Sequence, residues 1–169
     1  MTRAVQALVE RAAPHVVRVE GRRSAWSGAT WSADGLVVAA HHTLDRDDGI
    51  EVWLPSGETT TAQVLGRDPT TDVAVLRVKG GGLAPVEWEE PALSAGALVV
   101  SVSRPGRVPR AELGIVARAA GEWRAPTGGK LERYLETTLP LRPGLSGALA
   151  LSAAGAPAAT SAETAASAV

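Results

Sequence analysis

The chain has 169 residues, of which 45% are hydrophobic and 21% are charged, and its formal net charge at pH 7 is −1. This length bounds the fold to one compact domain or two small subdomains. A near-neutral chain creates no overall field that would draw nucleic acid or an anionic membrane, so neither is expected as a partner. The sequence has no cysteine, which excludes disulfides and thiolate metal sites.

No segment of the sequence is predicted to enter a membrane. No apolar run approaches the roughly 20 residues needed to span a bilayer. Residues 1–6 lack the apolar region of a signal peptide. We therefore expect either a cytoplasmic protein or an exported one whose leader has been removed, and the compartment stays open.

The first half of the sequence alternates short apolar runs with turn residues. Val5, Leu8 and Val9 lie close to helical spacing, which predicts a short amphipathic helix over residues 4–12. Pro14 ends this helix, because the residue before a proline is restricted to extended backbone. The remaining runs predict strands over residues 15–20, 24–32, 36–40, 49–54, 59–68 and 72–78.

The second half repeats this pattern after a glycine-rich stretch at residues 79–83, which we interpret as a linker between the halves. The strand expected over residues 156–161 is weakly predicted, because it contains Pro157 and only one β-branched residue, Thr160. Alanine, serine and threonine dominate the tail at residues 152–169, which we expect to be poorly ordered. The other strands of this half are predicted over residues 98–103, 113–117, 135–139 and 149–151.

Many short strands and little helix indicate an all-β protein. We predict two packed six-stranded-type β-barrels, the first over residues 1–79 and the second over residues 80–151. Because the tail at residues 152–169 carries few bulky apolar side chains, the second barrel is expected to be incomplete at its C-terminal end.

A serine in a tight apolar loop near the end of the chain is the first candidate for chemistry. Pro143 and Gly144 predict a sharp turn before Ser146, since proline fixes φ and glycine tolerates positive φ. Such a turn exposes the serine hydroxyl and aims the amides of Gly144 and Ser146 at one point, where an oxyanion would form. An isolated Gly-x-Ser-Gly is more often an ordinary turn, so a catalytic interpretation needs a base and an acid elsewhere.

Each of the two partners that such a serine would need has a competitor nearby in the sequence. His42 follows a buried apolar strand and is the candidate base, while His41 is its immediate neighbour. Asp72 stands at the head of another apolar strand and is the candidate acid that orients the histidine. Asp68 is better placed as a turn residue, because it precedes a proline. A lone histidine such as His15 is usually structural.

Six stretches of the sequence, taken together, resemble a known family. These stretches resemble stretches of the trypsin-like (chymotrypsin-fold) serine proteases, and they follow one another in the same order. They resemble the HtrA/Deg branch of that family most of all. Several ordered matches are far more specific than one. The stretches are a strand preceded by a helix at residues 9–19, a hairpin at 27–35, a histidine strand at 37–44, an aspartate motif at 71–76, a Gly-Ile-Val strand at 113–116, and the run into the serine at 136–147.

The resemblance implies a two-barrel fold and a serine endopeptidase that hydrolyses unfolded or flexible polypeptides. It implies Ser146 as nucleophile, His42, rather than His41, as general base and then general acid, and Asp72 as the residue that orients the imidazole. The Gly144 and Ser146 amides would form the oxyanion hole. No metal or cofactor is implied.

The sequence departs from the family pattern around the serine. The family usually has a small polar residue before the serine, where this chain has Leu145. It usually has a second glycine after the first, where this chain has Ala148, which adds a Cβ. These departures favour an alternative, a weak or inactive protease-fold module that binds peptides, whereas the complete set of three side chains favours an enzyme. We expect a protease domain without a PDZ domain.

The resemblance also leads to an expectation about specificity. In trypsin-like proteases a carboxylate six positions before the serine selects basic side chains, and that position here is Pro140. We expect an apolar substrate pocket formed by Leu139, Pro140, Leu141, Ala158 and Thr160. HtrA-like proteases are often trimers, so a homo-oligomer is compatible with the resemblance, although the N-terminal segment lacks the aromatic residues that such a contact would favour.

Overall fold

The structure is a computed structural model that describes residues 2–21, 23–88, 92–140 and 142–153, together with the backbone of residues 157–160. It is an all-β arrangement with one helix at the N-terminal end. The elements are α1 Thr2–Ala12, β1 Val16–Glu20, β2 Ala25–Thr30, β3 Leu36–Ala40, β4 Ile50–Trp53, β5 Thr59–Asp68, β6 Val73–Val78, β7 Leu98–Ser103, β8 Arg110–Ala120, β9 Trp123–Arg124, β10 Lys130–Leu131, β11 Tyr134–Thr137, β12 Leu149–Ser152 and β13 Pro157–Thr160.

Strands β1 to β6 close into an antiparallel barrel in the order β1-β2-β3-β6-β5-β4, with β4 pairing back onto β1. Along a strand such as β6, side chains point alternately into and out of the barrel, because the side-chain period of a strand is two residues. The inward side chains fill the barrel with a single aliphatic core, made of Val17, Val19, Val37, Ala39, Leu44, Ile50, Val52, Ala62, Ala74, Leu76, Val78 and Leu83.

The pairing of β3 with β6 places two candidate site residues side by side. These strands are antiparallel, and Ala40 at the end of β3 lies opposite Val73 at the start of β6. His42 follows the first of these residues closely, and Asp72 immediately precedes the second. Two residues that are thirty positions apart in sequence are therefore brought to the same rim of the barrel.

Strands β7, β8, β11, β12 and β13 form a second antiparallel sheet in the order β11-β8-β7-β12-β13. The sheet curls around a smaller core of Val99, Val116, Leu135 and Leu139. Among the described residues, β11 and β13 are its outer strands, and β9 and β10 form a separate hairpin. The loop that carries Ser146 leads directly into β12.

Helix α1 covers the seam between the two halves. Its buried residues Leu8 and Ala12 face a cluster to which both halves contribute. Half-buried Val5 and Val9 pack against the same cluster, as their helical spacing predicts. The other buried members are Val16 and Ala29 of the first barrel, Val86, and Val100, Val102, Leu149 and Leu151 of the second half. The halves are thus held together by an apolar interface.

The predicted all-β, two-barrel fold is confirmed: a closed six-stranded barrel packs against a second, half-closed sheet. Strand β8 is longer than predicted, and the hairpin of β9 and β10 was not predicted. Strand β13 forms despite Pro157, which an outer strand tolerates because one edge needs no donor. Within the tail at residues 152–169, residues 154–156 and 161–169 lie outside the described part. No helix among the described residues is long and apolar enough to cross a membrane.

The first barrel provides a stability test. Leu76 is fully buried in its core, so Leu76→Ala is expected to lower the free energy of unfolding by about 2 to 5 kcal/mol. Leu65 on neighbouring β5 is 54% exposed, so Leu65→Ala is expected to change the free energy of unfolding by less than about 0.5 kcal/mol. Urea denaturation of both variants measures the difference. Equal losses for the two would contradict the assigned faces of the barrel.

Candidate active site

Asp72 occupies an unusual backbone conformation at the rim of the first barrel. Its φ is 59°, and among the described residues no other non-glycine has positive φ. The left-handed region costs most side chains energy, and residues held there are often found at functional sites. The Asp72 carbonyl oxygen accepts a hydrogen bond from the amide of His41 at 3.0 Å, and its carboxylate faces the neighbouring His42.

The carboxylate of Asp72 holds His42 at two points. Its Oδ1 accepts a hydrogen bond from the backbone amide of His42 at 2.8 Å. Its Oδ2 lies 2.6 Å from Nδ1 of the imidazole. Because an ionised carboxylate can only accept, Nδ1 carries the proton and the neutral ring presents the lone pair of Nε2. The Oγ of Ser146 lies 3.2 Å from that Nε2.

The structure therefore brings together the three candidates Asp72, His42 and Ser146 in one continuous line. His42 belongs to a short 3₁₀ turn that ends β3, rather than to the strand itself. The imidazole is 45% exposed and the Asp72 side chain 19%. The ring of Trp26 meets the imidazole edge-on, with the two centroids 5.9 Å apart. The imidazole ring is thus partly open to solvent, while the carboxylate that holds it is largely covered.

Asp68, the alternative acid, has a local structural role. Its Oδ1 accepts hydrogen bonds from the amide of Thr70 at 2.9 Å and from its hydroxyl at 2.6 Å. Its Oδ2 accepts one from the Thr71 hydroxyl at 2.7 Å. These bonds stabilise the charged carboxylate and lower the pKa of Asp68 to about 2. Asp68 thereby shapes the turn that leads into Asp72.

His41 belongs to the same 3₁₀ turn, but its ring contacts Arg67 instead of the line from Asp72 to Ser146. An Nη1 of Arg67 lies 3.3 Å from its Nδ1 and also donates to the Leu44 carbonyl oxygen at 3.1 Å. The same guanidinium donates to the Arg46 carbonyl oxygen at 2.6 Å and to Asp47 at 2.8 Å. Arg67 thus anchors the loop that follows His42, a function that nothing in the sequence pattern indicated.

His15, the third histidine, contacts a different segment of the chain. Its Nδ1 is 2.9 Å from the carbonyl oxygen of Ala84. The histidine ties the end of the N-terminal segment to the connection between the two halves. This contact is structural, as is usual for a lone histidine.

Two consecutive β-turns shape the loop around Ser146. In the first, the Leu145 amide donates to the Arg142 carbonyl oxygen at 3.1 Å. In the second, the Ala148 amide donates to the Leu145 carbonyl oxygen at 2.8 Å. Gly144 and Gly147 occupy the third positions with φ of 88° and 82°. A positive φ at that position, with a negative φ before it, defines a type II turn, in which glycine is favoured.

Space as well as conformation requires glycine at these two positions. A Cβ on Gly147 would overlap the carbonyl oxygen of Ser27, and one on Gly144 would overlap the side chain of Pro105. Ala148, by contrast, is fully buried and has no positive φ. Its extra Cβ therefore introduces no backbone strain into the loop, and Leu145 before the serine is buried as well.

The amides of Gly144 and Ser146, predicted to bind an oxyanion, are available for that role. Neither donates a hydrogen bond to any group in the described part of the chain. Gly144 is buried and Ser146 is half-buried, so their surroundings are partly shielded from water. A partly dry site strengthens any hydrogen bond that these donors make.

The residues predicted to line a substrate pocket are only partly described. Leu139 is buried in the core of the second half, against Val99 and Leu135. Pro140 is half-buried. Leu141 and the side chains of Ala158 and Thr160 lie outside the described residues. The pocket therefore stays a prediction. Among the side chains that are described, no cluster of three histidine or acidic residues could hold a metal ion.

The hairpin of β9 and β10 reaches across to the turn before Asp72. The hydroxyl of Thr127 donates to the carbonyl oxygen of Thr70 at 2.6 Å. The carbonyl group of Thr70 lies so close to Gly129 that it leaves no room for a Cβ there. The second half therefore contacts the segment that carries Asp72, a contact that no sequence pattern indicated.

The hydrogen bond to Asp72 raises the pKa of His42 above its ordinary value of 6.5. Partial burial of the ring acts in the opposite direction, and the negative charge of Asp72 adds to the rise. The folded structure thus favours the protonated ring. The interaction of the protonated His42 ring with Asp72 therefore stabilises the fold. This contribution to the free energy of unfolding is fully present below pH 6.5 and is lost as the pH rises through the raised pKa.

We expect NMR titration of the His42 ring to give a midpoint above 6.5. Asp72→Asn should lower this midpoint, because it removes the negative charge and the carboxylate acceptor from Nδ1. The titration is best done in a Ser146→Ala background, which removes the candidate nucleophile from both proteins compared. A midpoint at or below 6.5, or one that Asp72→Asn leaves unchanged, would contradict the pairing.

Comparison with known proteins identifies a family for the chain. The family model described as "Trypsin-like peptidase domain" matches residues 26–159. The "Probable periplasmic serine endoprotease DegP-like" of Ectopseudomonas mendocina is 31% identical over 82% of this chain and 30% of its own length. The "Serine protease Do-like HtrA" of Lactobacillus helveticus is 29% identical over 72% of this chain and 30% of its own.

A solved structure shows the same fold. The crystal structure of Deg5 superposes with a TM-score of 0.79 over 92% of this chain and 82% of that one, at 22% sequence identity. The chain spans about 30% of the length of the curated relatives it matches, and the family model covers most of the chain, from β2 to β13. The chain therefore belongs to the family of trypsin-like peptidase domains, among relatives of the HtrA/Deg type.

Proposed function

We propose that this domain is a serine endopeptidase that hydrolyses peptide bonds in unfolded or flexible polypeptides. One observation carries the proposal, the continuous line from the Asp72 carboxylate through His42 to the Ser146 hydroxyl. A hydroxyl at its ordinary pKa is a weak nucleophile, and a neighbouring base oriented by an acid activates it. The family and the type of relative support this assignment.

The reaction runs in two stages. In the first, the Ser146 oxygen attacks the substrate carbonyl carbon while Nε2 of His42 takes the hydroxyl proton. The amides of Gly144 and Ser146 hold the oxyanion of the tetrahedral intermediate. The carbon–nitrogen bond then breaks, His42 gives its proton to the leaving amine, and the acyl group stays on Ser146.

In the second stage water replaces the amine. His42 takes a proton from the water as the water oxygen attacks the acyl-enzyme, and the ester bond to Ser146 breaks. The proton returns from Nε2 to the Ser146 oxygen, which restores the starting state. Asp72 keeps Nδ1 protonated throughout and stabilises the imidazolium that forms in each stage.

Substitution within the triad tests the proposal. Ser146→Ala is expected to lower the turnover of casein by about 10⁶, and His42→Ala by a similar factor. His41→Ala is the matched control, because the His41 ring contacts Arg67, whereas the His42 ring contacts Ser146. It should retain most of the activity. Casein hydrolysis that Ser146→Ala does not change, in protein shown to be folded by circular dichroism, would refute the proposal.

The alternative function is a weak or inactive module that binds peptides. A fluorophosphonate probe separates it from the enzyme, since only an activated serine in a formed site reacts quickly. Labelling that requires both Ser146 and His42 supports the enzyme. The absence of labelling in a folded chain that still binds unfolded casein would support the binding module.

The sequence around Pro140 leads to a prediction about specificity. An apolar pocket leaves a buried lysine or arginine charge unpaired, which costs several kcal/mol. Burial of an aliphatic group instead contributes about 0.8 kcal/mol per CH₂. We expect cleavage after valine, alanine, leucine or isoleucine, and mass spectrometry of a digested denatured protein maps the sites. A majority of cuts after lysine or arginine would show that the pocket is wrongly assigned.

A further inference from the structure

Ser27 is a fully buried serine on β2 that contacts the loop of Ser146 at two points. Its hydroxyl donates to the carbonyl oxygen of Gly144 at 2.8 Å. Its amide donates to the carbonyl oxygen of Ser146 at 3.1 Å. Ser27 of the first barrel thus binds the carbonyl groups of Gly144 and Ser146. These are the two residues whose amides have no hydrogen-bond partner in the described part of the chain.

The direction of the hydroxyl bond is determined by its other partner. The amide of Arg104 donates to the same Ser27 oxygen at 2.8 Å. An amide can only donate, and a carbonyl oxygen can only accept. The hydroxyl proton must therefore point at Gly144, and the three groups form a directed chain from the Arg104 amide through Ser27 to the loop.

Arg104 is itself firmly held, so this chain has a fixed starting point. Its guanidinium is buried and donates to the carbonyl oxygens of Val16 at 2.8 Å, Ala13 at 2.8 Å and Arg107 at 3.0 Å. Burial lowers the pKa of Arg104, but an arginine remains charged in proteins. Three carbonyl groups thus fix the residue whose amide orients the Ser27 hydroxyl.

The bond to Gly144 restrains the most adaptable point of the loop. The peptide group between Gly144 and Leu145 is planar. Its carbonyl is held by Ser27 and its N–H by Arg142. Glycine rotates more freely than any other residue. Without the Ser27 hydroxyl, the Gly144 carbonyl would be a buried acceptor lacking a donor, a state that favours rotation of this peptide group.

We propose that Ser27 is a positioning residue for the oxyanion hole, which keeps the Gly144 and Ser146 amides aimed at the carbonyl oxygen of the reacting peptide. The inference rests on the proposed peptidase function. Ser27 acts through the loop and does not touch the substrate. Its removal should therefore weaken the binding of the transition state more than the binding of the ground state.

Ser27→Ala tests the inference, with Ser101→Ala as the matched control. Ser101 is also buried on a central strand, but its hydroxyl has no hydrogen-bond partner in the described part of the chain. We expect Ser27→Ala to lower kcat on a peptide substrate by about 10- to 100-fold, below the full loss of an oxyanion donor, with KM changed by less than about twofold. Ser101→Ala should match the parent in both. Ser27→Cys, with its weaker donor, should lie between.

A transition-state analogue separates positioning from a general loss of stability. A peptide boronate forms a tetrahedral adduct on the serine and uses the oxyanion hole, whereas a product-like peptide does not. In Ser27→Ala the boronate should bind more weakly by the factor lost in kcat/KM, and the peptide should bind as in the parent. The pH midpoint of kcat/KM should not move, because His42 and Asp72 are untouched. An unchanged kcat, or an unchanged boronate affinity, would overturn the inference.

Hydrogen exchange provides a readout that does not depend on catalysis. Amides in residues 142–149 should exchange faster in Ser27→Ala than in the parent or Ser101→Ala, under conditions where all three are fully folded. If the parent neither cleaves substrates nor reacts with a fluorophosphonate, the proposed function fails. The exchange then decides by itself whether Ser27 holds the loop, and equal rates in all three proteins would refute that role.

Discussion

The carboxylate of Asp72 makes two hydrogen bonds to a single residue, and the site depends on this pair. One bond holds the backbone of His42 and the other holds its ring, so the imidazole cannot turn away without breaking a charge-assisted contact. The pairing of β3 with β6 brings both residues to one rim, and the positive φ of Asp72 directs its carboxylate to the neighbouring turn. The barrel core below the rim keeps these two strands in register.

The serine comes from the other half, so the site exists only where the two halves meet. An apolar cluster under helix α1 holds the halves together, but apolar contacts are not directional. Direction comes from hydrogen bonds near the site, such as those from Ser27 to the loop and from Thr127 to the turn before Asp72. The apolar cluster holds the two halves of the chain together, and the few polar contacts determine how the halves are oriented at the site.

Most strand positions could be read from the sequence, and so could the three candidate residues that the structure brings together, because both depend on local patterns. Alternation and turn residues predicted most strands of the first barrel, and ordered motifs distinguished His42 from His41. The sequence did not indicate the positive φ of Asp72 or the anchoring role of Arg67, which depend on long-range contacts. Ser27 lay within a recognised motif, yet its bond to Gly144, 117 positions away, exists only in the folded chain. The hairpin of β9 and β10 is too short to give a periodic pattern.

The two halves also differ in whether their sheets have open edges. The first barrel is closed, so every one of its strands has two neighbours, whereas β11 and β13 are outer strands of the second sheet within the described residues. Backbone groups on an outer strand can pair with any extended chain, whatever its side chains. An unfolded polypeptide and an identical copy of this domain would compete for such edges. The open edges of the half-closed sheet would therefore serve the capture of an extended chain and self-association alike.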